Sequence, residues 1–169
     1  MQVEITSDLS VEPVSVAEAR AYLRITTTAE DSIISGLITS ARMRLEKYAN
    51  LSFGAKTIQC YFNELYGWQE LPYQPNSTIT SIKDNDADDL VYEERGVPYK
   101  SIKVSGSNGV IVIYEVEGLV NEAIKEAIKK EVATAYDYRQ NFSEGQTYQM
   151  SNDAKMLVQP FSRNTFLGI

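Results

Sequence analysis

The chain contains no histidine. That removes Ser–His and Cys–His nucleophilic pairs and His-ligated zinc in one step. Its single cysteine, Cys60, can form neither an internal disulfide nor a thiolate cluster, which fits a reducing compartment. The longest purely aliphatic run, Val110-Ile111-Val112-Ile113, falls far short of the ~20 apolar residues that cross a bilayer. The opening Met1-Gln2-Val3-Glu4 lacks the basic-then-apolar layout of a secretory signal. No GxGxxG, GxxxxGK[ST] or SxxK pattern occurs, so nucleotide folds and Ser–Lys nucleophiles have no support. Cations are in deficit, 16 Lys and Arg against 23 Asp and Glu, a formal charge of −7. Broad, sequence-independent DNA binding needs the opposite balance, because cationic side chains must displace counterions from phosphate. What is present is ordinary for a folded protein: 169 residues, 43% of them hydrophobic. The expectation is a soluble, intracellular chain of one domain, or one domain with a tail, with no membrane partner.

The N-terminal third has helical periodicity. Ser15 and Glu18 form a capping-box pair after Pro13, and Val16, Ala19 and Leu23 repeat on one face. Thr26-Thr27-Thr28 interrupts the pattern, and Thr28 with Asp31 offers a second cap. Ile33, Ile34, Leu37, Ile38, Ala41, Leu45 and Tyr48 then trace an amphipathic stripe to about Asn50. Beyond it the period becomes two: Ile58, Cys60 and Phe62 alternate with Thr57, Gln59 and Tyr61. Pro72 and Pro75 bracket a turn, Thr78–Ile82 reads as a weaker strand, and Asp84–Asp89 as an acidic turn. Ser101–Ser105, a Gly106-Ser107-Asn108-Gly109 turn and Val110–Val116 predict a hairpin. Its second strand, apolar on both faces, is expected to be central and doubly covered. Asn121 caps a helix running to about Gln140, and Ser151-Asn152-Asp153 caps a short one stopped by Pro160. The fold class is α+β: an N-terminal helical pair, a small antiparallel β-region inserted, then a long helix, a short helix and a tail. Residues 1–141 form the expected domain; 142–169 form a linker, short helix and docking tail.

Few groups suggest chemistry. Asp84, Asp86 and Asp88 have the spacing of a calcium loop, but Asp89 stands where that loop needs Gly and Arg95 where it needs a bidentate Glu. A solvated turn is the better reading. Gly106–Gly109 matches a GxxG clamp only in letters, since it separates strand patterns rather than helices. Glu64, Glu70, Glu93 and Glu94 offer an acid and a base without any geometry. No catalytic residue, metal ligand or cofactor site is assigned. Eleven tyrosines are the stronger signal. Tyr61, Tyr66, Tyr73 and Tyr92 fall with Trp68 in the strand region, and such side chains combine apolar area with a polar tip, as interfaces require. Phe161, Arg163, Phe166 and Leu167 sit on a terminal segment too short to build its own core, so it folds back or docks on a partner.

The run from Glu12 to Ile25, Glu-Pro-Val-Ser-Val-Ala-Glu-Ala-Arg-Ala-Tyr-Leu-Arg-Ile, resembles the "PVSLAEAKAHLRV"-like opening of phage head–tail connector proteins. Glu30–Arg42, Glu46-Lys47-Tyr48, the start Asn121-Glu122-Ala123-Ile124 and the ending Leu157–Arg163 continue the likeness, with Phe161 where the family's "LLxPYR" finish has tyrosine. The resemblance spans about Val11 to Arg163. It implies a non-enzymatic adaptor of the virion neck, assembled from host cytoplasm into a ring of about twelve copies. Such a ring sits under the portal protein, meets the next neck or tail protein, and passes DNA without specific binding. Another neck or tail-completion protein, a small carboxylate-dependent enzyme and a sheet-edge peptide binder remain the alternatives.

Overall fold

The computed structural model describes residues 1–104, 108–140 and 148–163. The chain divides into two compact units, each assembled from separated stretches. Met1–Ser10 and Gly54–Leu119 make a β unit; Val11–Phe53 and Val120–Ile169 make a helical unit. The α+β class expected from the sequence is the class adopted.

The helical unit contains α1 (Val16–Leu23), α2 (Asp31–Ala49), α3 (Glu122–Gln140) and α4 (Asn152–Val158), followed by a 3-10 turn, Gln159–Phe161. The capping box at α1 is formed: the Glu18 amide donates to Ser15 Oγ (3.2 Å) and the Ser15 amide donates to the Glu18 carboxylate (2.8 Å). Ser15 holds the Glu18 carboxyl below the usual carboxylate range, chiefly through its side-chain hydrogen bond. A depressed folded-state value means the box stabilises at neutral pH and that this contribution fades as pH falls through it. Ser15→Ala is expected to lower stability by ~1 kcal/mol at neutral pH, with a smaller effect in acid; equal losses at both pH values would contradict this. The cap expected at Thr28 is not used. Glu30 occupies the N-cap of α2 without a side-chain bond, because the helix begins two residues later than that reading places it. Asn121 Oδ1 accepts from the Ile124 amide at 2.9 Å and Ser151 Oγ from the Ala154 amide at 3.3 Å, as their positions predict. The core of this unit gathers Ile34, Ile38, Leu45 and Phe53 with Ile124, Ile128, Val132 and Val158, all buried.

Two ion networks run through that core. Arg42, 2% exposed, donates to Glu12 through Nε (2.8 Å) and Nη2 (3.2 Å) and to Glu46 through Nη1 (2.8 Å). Glu46 also accepts the Phe53 amide at 2.7 Å. Glu131, fully buried on α3, accepts from Arg44 Nε (2.9 Å), the Ser151 amide (2.9 Å) and the Tyr148 hydroxyl. It thereby ties α2, α3 and the start of α4 together.

The β unit holds a four-stranded antiparallel sheet in the order β1-β2-β7-β4 and a three-stranded one in the order β3-β6-β5. Their ranges are β1 Gln2–Ser7, β2 Lys56–Glu64, β3 Gln69–Glu70, β4 Ser77–Lys83, β5 Tyr92–Arg95, β6 Ser101–Val104 and β7 Asn108–Val116. Ile58, Cys60 and Phe62 of β2 are buried, as their alternation predicts, against Val110, Val112 and Tyr114 of β7 and Ile102 and Val104 of β6. The two sheets thus share one core. The buried Gln74 amide links them through bonds to the Leu71 and Lys100 carbonyls (both 2.7 Å) and to Ser77 Oγ (3.0 Å). Gly118 has φ +77°, and a Cβ there would collide with the Gly54 backbone, so the two ends of the Gly54–Leu119 stretch meet where a side chain does not fit.

Three expectations fail here. The helices are preceded by β1, whose Val3 and Ile5 pair with Cys60 and Ile58 of β2; a six-residue strand with every position exposed carries little hydrophobic contrast to read. β6 and β7 are consecutive strands but not a hairpin, since they belong to different sheets. The apolar content of β7 is satisfied by two flanking strands, β2 and β4, which compete with the local pairing. Finally, β7 is central but not doubly covered: Val112 and Tyr114 are buried, while Ile111 and Ile113 are half-buried and Glu115 is exposed. Residues 105–107 of the expected turn lie outside the described residues.

Candidate assembly surface

The register of the larger sheet sorts its side chains into an inner face against the core and an outer face. Across the outer face run the rows Gln2–Tyr61–Ile111–Lys83 and Glu4–Gln59–Ile113–Ser81, then Ser7–Thr57–Glu115–Thr78. Tyr61, Ile111 and Ile113 sit half-buried at its centre, with exposed Glu4 and Glu115 beside them.

The other aromatic side chains singled out in the sequence lie elsewhere. Trp68 is half-buried, with Arg95 stacked 4.1 Å above its ring and Lys103 Nζ at 5.9 Å, a cation–π arrangement on the smaller sheet. Tyr73, at φ 56°, packs against the core of the β unit. Tyr66 is 79% exposed, and Tyr92 stands on the exposed strand β5 opposite Val104. Val91 and Val97, not singled out beforehand, flank β5 at 88% and 91% exposure. Their signal, single valines in the segments on either side of a short charged strand, carries no period from which to find them.

At the C-terminal end, Phe161 and Arg163 are half-buried, and the Arg163 amide donates to the Ala49 carbonyl at 2.8 Å. The described start of the tail therefore folds back on the helical unit. Phe166 and Leu167 lie outside the described residues.

Several of the groups that invited chemical readings have structural partners. Asp84 accepts from the amides of Asp86 (2.9 Å) and Asp88 (3.0 Å), which closes the acidic turn on itself. Glu93 pairs with Lys103 (3.2 Å) and Glu94 with Lys100 (3.1 Å). Neighbours on one strand, they point to opposite faces and converge on no common point. Burial pushes the Cys60 thiol up, and it lies 3.5 Å from the Tyr114 hydroxyl, so it is held as an unreactive core group. Among the described residues no cluster of three metal-ligating side chains occurs, and no helix is long and apolar enough to cross a membrane.

Charge is divided unequally between the units. The β unit carries five Lys and Arg against twelve Asp and Glu, the helical unit eleven against eleven, so the whole excess of −7 resides on the β unit.

No curated protein sequence matches the chain. Solved structures do. A chain of the neck of the empty GTA particle computed with C6 symmetry superposes with a TM-score of 0.77 at 18% identity, covering 99% of this chain and 98% of the other. A chain of the virion of the native gene transfer agent particle gives 0.73 at 18% identity, and one from the native neck computed with C12 symmetry gives 0.73 at 17%, with the same coverage. At these identities the likeness is one of fold, and it extends over both units. In sequence, residues 13–84 match the model of the family described as phage gp6-like head-tail connector protein. Over that segment, somewhat less than half of the chain, the sequence is similar to phage gp6-like head–tail connector proteins.

Proposed function

We propose that this protein is a structural adaptor in the neck of a phage-like particle, forming a ring beneath the portal that joins capsid to tail and extends the DNA channel. The observation that carries the reading is the connector-family match over residues 13–84 in a chain whose entire fold resembles neck subunits. A closed ring of identical subunits needs two different complementary surfaces on each copy, and a chain built from two chemically unlike units supplies them. About twelve copies, the number the family implies, close such a ring by rotation. The acidic excess supports a channel that does not grip DNA, because a net negative surface repels phosphate and gains little from counterion release. The portal, the next neck or tail protein and further copies of this chain are its partners, met first in the host cytoplasm and then in the virion.

The C-terminal tail is the proposed contact with the portal or a neighbouring subunit. The Arg163 amide ties the base of this segment to the Ala49 carbonyl, and Phe166 and Leu167 are the apolar side chains the sequence supplies beyond it. Truncation after Arg163 keeps the Arg163–Ala49 bond and the fold. It is expected to weaken capture by immobilised portal by ~10-fold or more, the scale of losing apolar anchors from an interface. Undiminished capture by a folded truncated protein would overturn this role.

A further inference from the structure

Unpaired charge is segregated in this molecule. Among the described residues, the exposed carboxylates Glu4, Glu64, Asp86, Asp88, Glu115 and Glu117 of the β unit make no ion pair, while every lysine of that unit is matched to an acid and Arg95 lies over Trp68. In the helical unit the reverse holds: Arg24, Lys47, Arg139 and Lys155 have no ion-pair partner among the described residues, while the described acids are largely engaged within the unit.

Each sign accompanies a face with partly exposed apolar side chains. On α2, Ile33, Gly36, Ser40, Met43 and Lys47 fall on one stripe at helical spacing, with Ile33 39% and Met43 50% exposed. Nothing lies within 4 Å of a Cβ built on Gly36, so that side of the helix is open. Arg24 stands just ahead of the loop into α2 and Lys47 near its far end, so free cations bracket the stripe. The outer face of the larger sheet places Tyr61, Ile111 and Ile113 between Glu4 and Glu115. Apolar centres with charged margins of opposite sign are what two complementary patches need. Arg24 adds a local clue: it caps α1 in the left-handed conformation, φ 58°, where glycine is the usual occupant.

Resting on the ring reading above, we propose that successive copies dock head to tail, the α2 stripe of one against the outer sheet face of the next, with Arg24 and Lys47 meeting Glu4 and Glu115. The occupant of each face is a second copy of this chain.

The test is a charge exchange. One variant carries Arg24→Glu and Lys47→Glu, the other Glu4→Lys and Glu115→Lys; all four sites are exposed, and circular dichroism checks that both variants fold. Assembly, alone or on the portal, is followed by sedimentation and electron microscopy. Wild type forms rings, less readily as salt rises, and each variant alone loses ring formation by ~10-fold or more. An equimolar mixture restores it, because alternating copies again meet with opposite charge. A neutral pair, Arg24→Gly with Lys47→Gln, gives an intermediate loss while relieving the strained cap. Wild-type-like assembly of the separate variants, or no rescue in the mixture, overturns the proposed contact while leaving the ring intact. Failure of wild type to form rings under any condition overturns the ring itself, and this contact with it.

Discussion

Arg42→Met is expected to destabilise the helical unit by ~3–5 kcal/mol, the range seen when one partner of a buried ion pair is removed. The guanidinium is 2% exposed and bridges Glu12 and Glu46 with three bonds of 2.8–3.2 Å. Without it, the Glu46 carboxylate stays buried with only donors such as the Phe53 amide to satisfy it. The double variant Arg42→Met/Glu46→Leu is expected to be less damaged than the single one. It removes the stranded charge and leaves chiefly an orphaned Phe53 amide, worth ~1–3 kcal/mol. The two units give separate signals: the four α-helices among the described residues lie in the helical unit, and Trp68, the sole tryptophan, lies in the β unit. Ellipticity at the helical minimum should therefore lose more midpoint than Trp68 fluorescence does. A single-variant shift below ~1 kcal/mol, or a double variant worse than the single, would contradict the role given to this network.

The converse result is expected for Tyr114. Its ring is fully buried in β7, its hydroxyl donates to the Pro72 carbonyl at 2.8 Å, and burial raises the hydroxyl's pKa so that it remains a donor. Tyr114→Ala should destabilise the β unit by ~3–5 kcal/mol through the cavity it opens. Tyr114→Phe keeps the ring and orphans one carbonyl, so ~1–2 kcal/mol is expected. Here the fluorescence midpoint should move further than the helical one. Equal effects of the two substitutions would mean that packing around the ring is not what holds this core.

Local signals carried most of the helical unit. Ser15 and Glu18, Asn121 and Ser151 cap where their positions require, because capping depends on atoms within four residues of one another. Pairing between distant strands has no such local record. Val110–Val116 reads equally well as a hairpin partner of Ser101–Val104 or as the middle of another sheet. The choice was made by β2, some fifty residues earlier, and by β4. The strand β1 escaped notice for a related reason: its two apolar residues gain meaning only from the Ile58 and Cys60 rows beside them. The assembly surface was partly legible. Aromatic content pointed to the β region, yet Tyr61, Trp68 and Tyr73 occupy an outer sheet face, a cation-stacked site and the edge of the core respectively. Composition can count such residues, but only register assigns them to a face. The overall charge of −7 likewise concealed that one unit is neutral and the other holds the entire excess.

The central claim is that the molecule acts by geometry, as one segment of a ring about a hollow axis. The direct measurement is cryo-electron microscopy of the protein mixed with its cognate portal, imaged beside portal alone. The account predicts an added ring of density under the portal, coaxial with it, into which the chain fits with both units ordered and the channel left open. Portal particles that carry no added density at saturating protein, or density that plugs the axis, would contradict it.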